Sequence, residues 1–176
     1  MIQLVPISEV APKEVEALLD AAFGADRHAR TAYRMRDGVS VIPALSFAAL
    51  NGGALAGTIQ CWPVALEDAS HALHPITLVG PVAVDPAIQR SGIGKVMMRH
   101  CLVACDTLGY DALMMIGDPE YYDRFFGFTA DATQGWVIPG PVDRRRLLAR
   151  IGRTGGLPRE GRIIPHLAFA SLGLAA

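Results

Sequence analysis

Val15, Leu18, Leu19 and Ala22 recur at helical spacing and predict an amphipathic helix over residues 8–22. Ser8 is a natural N-cap for it, Pro12 falls near the first turn, and Gly24 stops it. The polar stretch Asp26-Arg27-His28-Ala29-Arg30 leads to a short helical pattern around Thr31–Arg36, ended by Asp37-Gly38. Ala44–Leu50 and Leu55–Leu66 have the make-up of strands, and Asn51-Gly52-Gly53 between them predicts a hairpin turn. A polar loop over 67–76 precedes a near-continuous apolar run, Ile76–Val84, interrupted by Gly80-Pro81. Such a pair either demotes a strand or marks a bend or bulge in it. Ile93, Val96, Met97, Cys101, Ala104, Cys105 and Leu108 then form a stripe of 3.6 period, with Gly109 at the C′ position. Ala112–Ile116 predicts a buried strand and Pro119–Phe126 a short helix. Strand-like pieces over 127–138 and 162–170 flank Asp143–Ile151, whose basic and apolar mixture predicts a surface helix. No repeat or linker divides the chain, so residues 1–176 are expected to form one α/β domain.

Composition narrows the class. The 176 residues are 51% apolar and only 19% charged, with 16 Lys and Arg against 17 Asp and Glu for a net charge of −1. That excludes disorder and argues against a nucleic-acid partner, including for the run Arg144-Arg145-Arg146. No uncharged stretch approaches the ~18 residues a membrane span needs, and nothing at the N-terminus signals export. Cytoplasmic localisation is the expectation. Cys61, Cys101 and Cys105 lack CxxC spacing and are expected to be reduced, buried thiols. The five histidines form no metal-ligand pattern, so no metal is expected.

The chemistry concentrates in Val82-Ala83-Val84-Asp85-Pro86-Ala87-Ile88-Gln89-Arg90-Ser91-Gly92-Ile93-Gly94-Lys95, a strand, a tight turn and a helix start. A helix start leaves backbone N–H groups unpaired at its positive end, and glycines there admit a phosphate close to the backbone. Arg90 and Lys95 add charge, so the segment reads as a pyrophosphate cradle, although glycines also simply permit a tight turn. Two phosphate motifs fail. A Walker A loop would need glycine at Gln89 and a hydroxyl at Val96, and a dinucleotide fingerprint would need glycine at Met97. The pattern that remains is Q-x-x-G-x-G after V-x-V-x-P.

That pattern resembles the acetyl-CoA loop of the GNAT superfamily of N-acetyltransferases. The longer string Leu78–Pro86 followed by Gln89–Gly94 looks most like its YhbS-like branch. A second block, Gly117-Asp118-Pro119-Glu120-Tyr121-Tyr122-Asp123-Arg124-Phe125-Phe126-Gly127-Phe128, is similar to the family segment that follows the fifth strand. It departs from the usual spacing by one extra phenylalanine, which bears on which tyrosine faces the reaction. The resemblance implies a mixed, mostly antiparallel twisted sheet with helices on both faces, splayed between the fourth and fifth strands. It places the acetyl-CoA motif at 78–117 and the tyrosine-bearing helix at 118–128.

The resemblance further implies acetyl-CoA as acyl donor, with its pyrophosphate on the backbone of Gln89, Arg90, Ser91, Gly92, Ile93 and Gly94 and with Lys95 among the cofactor-binding residues. The pantetheine arm would pair with Val82, Ala83 and Val84 like an extra strand. An amine would attack directly in a ternary complex. Tyr122, with Tyr121 second, is the expected proton donor to the leaving thiolate, though the same rings also suit simple packing. The base is open. The fourth strand carries no carboxylate, which leaves Asp118, Glu67, Asp68 or a water relay. Arg27, Arg30 and Arg34 are expected either to recognise an acidic acceptor or to form a solvated face. Trp136 is expected to wall the sheet and Cys61 to lie in the core. Other readings are a non-catalytic CoA-binding or sensing module and a longer acyl donor. A homodimer is compatible with the chain.

Overall fold

The computed structural model describes residues 1–152 and 156–167 of the chain. Among them the strands are β1 (Ile2–Pro6), β2 (Phe47–Asn51), β3 (Ala54–Glu67), β4 (Leu73–Val84), β5 (Ala112–Ile116), β6 (Gly135–Val137), β7 (Leu147–Ile151) and β8 (Glu160–Pro165). The α-helices are α1 (Pro12–Phe23), α2 (Thr31–Arg34), α3 (Ile93–Leu108) and α4 (Pro119–Phe126). The main sheet runs β1-β2-β3-β4-β5-β7, antiparallel except where β4 meets β5, and β8 pairs with the far half of β3 and with β6. One face packs on α3 and α4 through Ile59, Cys61, Val79, Met97, Cys101 and Phe128. The other packs on α1 through Ala48 and Ala83 and, further along, on Met35 and Trp136. This is the mixed, splayed sheet with helices on both faces that the resemblance implies.

Two local expectations are overturned. The first helix starts at Pro12 rather than near Ser8, which sits in a single 3-10 turn, Ile7–Glu9. Ala11 precedes proline and is driven to extended backbone (ψ 131°), so no helix can run through it. The segment Asp143–Ile151 is not a helix. Asp143 caps one 3-10 turn over Arg144–Arg146, and Leu147–Ile151 pairs antiparallel with β5 from Ile116↔Leu147 to Ala112↔Ile151. Leu147 and Leu148 are both fully buried in opposite core layers, an arrangement a strand between two layers allows and a surface helix does not. The short edge strand β1 was not foreseen. The strand expected over 162–170 is observed to Pro165, and its last three residues lie outside the described residues.

The hairpin, α3, β5 and α4 stand where the pattern places them. Gly109 closes α3 in left-handed backbone (φ 78°) with its N–H on Cys105 O. All three cysteines are free and buried. Trp136 is buried beside β8, its Nε1 donating to Pro158 O at 3.1 Å. No described helix is long and apolar enough to cross a membrane.

Candidate active site

Gly80-Pro81 creates the site. Cys61 pairs with Val79 and Ile59 with Val82, so one residue of β3, Gln60, spans two of β4. This is a bulge, with Gly80 at φ 127° and a cis Gly80–Pro81 peptide. Pairing of β4 to β5 is confined to Thr77↔Leu113 and Leu78↔Met114. Beyond that point β4 runs on to Val84 with no β5 partner along its outer edge. Unpaired strand backbone is a ready template for an extended ligand.

At the end of β4, Asp85 accepts a hydrogen bond from Ala87 N (2.9 Å) and starts the turn over Pro86–Ile88. Arg90 (φ 69°) and Gly92 (φ 85°) are both left-handed and swing the chain into α3. Gly92 caps α3 without a side-chain bond, so its first-turn amides keep their positive end open. A side chain built on Gly92 would meet nothing within 4 Å, and one on Gly94 only Val84 Cγ2 at 3.7 Å. The approach to these amides is therefore clear, as a phosphate group requires. Gln89, Arg90 and Ser91 are exposed beside it, and Ile93 is buried as an anchor. The Lys95 ammonium lies 3.6 Å from the Phe125 ring centroid and so ties α3 to α4.

Between the splayed strands lies a cleft of about 790 Å³. Leu78–Val82 form one wall, Met115–Asp118 with Tyr121 and Tyr122 the other, and Thr31, Tyr33 and Arg36 reach in from the α2 side. Asp118 caps α4, accepting from Glu120 N at 3.0 Å and Tyr121 N at 3.4 Å. These bonds, with Glu120 first, hold its carboxyl below the usual range, which suits a cap and makes a weak base. Tyr122 folds back over the end of β5 so closely that a Cβ on Gly117 would meet its ring at 2.6 Å. Burial, reinforced by Tyr121 and Asp118, pushes its hydroxyl up to about 12. Burial also raises Tyr121, which packs edge-on to Tyr122 at 5.0 Å. The extra phenylalanine is absorbed by α4, where Phe126 is buried and Phe125 faces Lys95. Gly127 (φ 71°) then turns the chain so that Phe128 N reaches Tyr122 O.

Glu67 and Asp68 sit at the distant β3–β4 hairpin, bonded to His71 and to His74 and Ser70, and are not brought to the cleft. Arg27 is neither solvated nor free for a ligand. It is 1% exposed and donates to Asp20 (2.8 Å), Glu16 (2.5 Å) and the Tyr33 hydroxyl. Burial opposes its charge, but the bonds to Glu16, Tyr33 and Asp20 outweigh it and raise its pKa. Arg30 is exposed and bonds Phe23 O, and Arg34 is exposed. Arg36, just beyond α2, is the arginine beside the bulge.

An uncapped helix start after one strand, a splay beside that strand and a tyrosine-bearing helix across the cleft make up the candidate site. The sequence model of the Acetyltransferase (GNAT) family matches residues 13–128, and the chain belongs to that family. The fold is similar to the GNAT family N-acetyltransferase YhbS from Escherichia coli, solved in complex with CoA, at TM-score 0.71 and 23% identity over 96% of this chain and 91% of that one. It is also similar to a GNAT family acetyltransferase from Brucella melitensis in complex with acetyl-CoA, at TM-score 0.65 and 23% identity over 96% and 98%. No curated protein sequence matches the chain significantly.

Proposed function

We propose that acetyl-CoA lies along the outer edge of Val82, Ala83 and Val84 with its pyrophosphate on the amides of residues 89–94, and that Tyr122 donates the proton to the departing sulfur. The observation that carries this reading is the open helix start at Gly92 that follows the unpaired edge of β4 in the chain. Bound there, acetyl-CoA supplies an activated thioester. The remaining work falls to the chain. A lysine-like ammonium is only about one part in 10³ neutral at pH 7, a cost of about 4–5 kcal/mol. The apolar walls Leu78, Val79, Val82, Met115 and Ile116 favour the neutral amine by desolvation, and Asp118 stays a cap. Tyr122, half-buried and protonated, presents a hydroxyl rather than an anion toward the sulfur. The three free, buried thiols support a reducing, cytoplasmic setting.

The test is a pair of measurements. Saturating acetyl-CoA is expected to raise the melting temperature, and an amine panel is expected to release free CoA thiol only when acceptor is present. An unchanged unfolding curve sinks the reading. Binding without release by any amine favours the non-catalytic module instead.

Gly117 offers a sharper check on Tyr122. Gly117→Ala places a methyl where the Tyr122 ring now lies, so the ring must turn away. The expected result is a loss of turnover on the order of 10²-fold, with the acetyl-CoA melting shift retained. Wild-type turnover in this variant would show that the position of Tyr122 is irrelevant to the chemistry.

A further inference from the structure

We propose that Arg36 binds a carboxylate carried by the amine acceptor, so that the substrates are zwitterions of the amino-acid type. This rests on the acetyl-transfer reading above. Four arginines border the cleft, and three are occupied or peripheral. Arg27 is matched by Glu16 and Asp20, while Arg30 and Arg146 are exposed and bond Phe23 O and Gly117 O. Arg36 differs. Its Nη2 makes one long bond to Gly80 O (3.4 Å), its Nε is buried with no partner, and among the described residues no carboxylate pairs with it. The guanidinium instead lies over the rings of Tyr33 (4.1 Å) and Trp62 (5.2 Å).

Stacked aromatic faces hold a guanidinium in place but leave its edge as a planar fork, the shape that a carboxylate matches. A partly buried cation with no carboxylate in ion-pair contact is costly in the free protein, and burial lowers its pKa despite the opposing pull of Tyr33 and Glu16. An incoming anion removes that cost. Asp26, Asp118 and Asp143 also line the cleft. They disfavour a multiply charged phosphate and favour a ligand that brings a positive amine with a single negative group. Arg36 thus sets acceptor specificity and touches no reacting atom.

The experiment compares matched acceptors of increasing length: glycine, β-alanine and 4-aminobutyrate against glycinamide, β-alaninamide and 4-aminobutanamide. Rates are corrected for the neutral fraction of each amine. The expected result is a kcat/KM at least tenfold higher for the acid than for its amide at one or more lengths, expressed mainly in KM. In Arg36→Met that ratio falls to about one, and Arg36→Lys restores part of it. A structural brace would lower acids and amides alike and leave the ratio unchanged, which overturns the proposal. So does a wild-type preference for the amides at every length. If no amine releases CoA, the acetyl-transfer reading fails, and calorimetric binding of the same pairs to the CoA complex decides the point. Arg36→Met must then weaken the acids and spare the amides.

Discussion

Gly94→Val is expected to abolish the melting shift that acetyl-CoA is expected to give the wild-type protein. A ligand present at 100 times its Kd adds about 2.7 kcal/mol, which for a domain of this size is a melting shift of about 5–10 °C. Gly94 lies in the first turn of α3, where on the proposed reading its Cα would be the surface over which a phosphate approaches the amides. Valine fills that approach with branched carbons, and little in the protein resists it, since the nearest atom to a Cβ is Val84 Cγ2 at 3.7 Å. The unliganded variant should therefore melt within a few degrees of wild type while the ligand-induced shift disappears. Differential scanning fluorimetry with and without acetyl-CoA reads both numbers. A full shift in Gly94→Val would move the cofactor away from this helix.

Tyr122→Phe separates chemistry from binding. The ring stays to pack on Gly117 and Tyr121, and only the hydroxyl is lost. The expectation is a fall in kcat of about 10²-fold or more with the acetyl-CoA melting shift intact. Tyr121→Phe is the comparator, and the larger loss identifies the donor. The pH profile carries a second signature. Tyr122 is held up to about 12, so it stays protonated while the amine deprotonates. The wild-type kcat/KM should climb through the amine's own pKa without a falling limb below about pH 10. The same shift has a stability counterpart. The folded state holds this proton more tightly than the unfolded chain, so the stabilisation is complete below about pH 10 and is lost as pH rises toward 12. It amounts to about 2–3 kcal/mol and is missing from Tyr122→Phe.

Much of this site was legible because its parts are local. The helix start at Gly92 and Gly94, the strand before it and the capped helix at Asp118 are each written in a few consecutive residues, with glycine, proline and aspartate where backbone conformation demands them. What escaped was long-range. Leu147–Ile151 looks helical beside three arginines, and only its register with β5 makes it a strand. Arg27 lies in a polar run, yet Glu16 and Asp20 from α1 draw it inside. Arg36 carries no local mark at all. Its meaning comes from Trp62, Tyr33 and Gly80, which the chain brings together from three separate elements.

The bulge at Gly80-Pro81 also decides which way the strand faces on either side of it. Before it, Ile76 and Leu78 point toward the layer that holds Met35 and Trp136. After it, Val82 and Val84 point toward α3, while Ala83 turns to α1. One added residue has reversed the parity of the strand, since without it positions 78, 82 and 84 would share a face. A one-residue deletion here would therefore not merely straighten β4. It would exchange the valines for the alanine in both layers, unpacking the end of β4 from α1 and α3 in one stroke. The length of the chain at this point is as much a part of the enzyme as any side chain lining it.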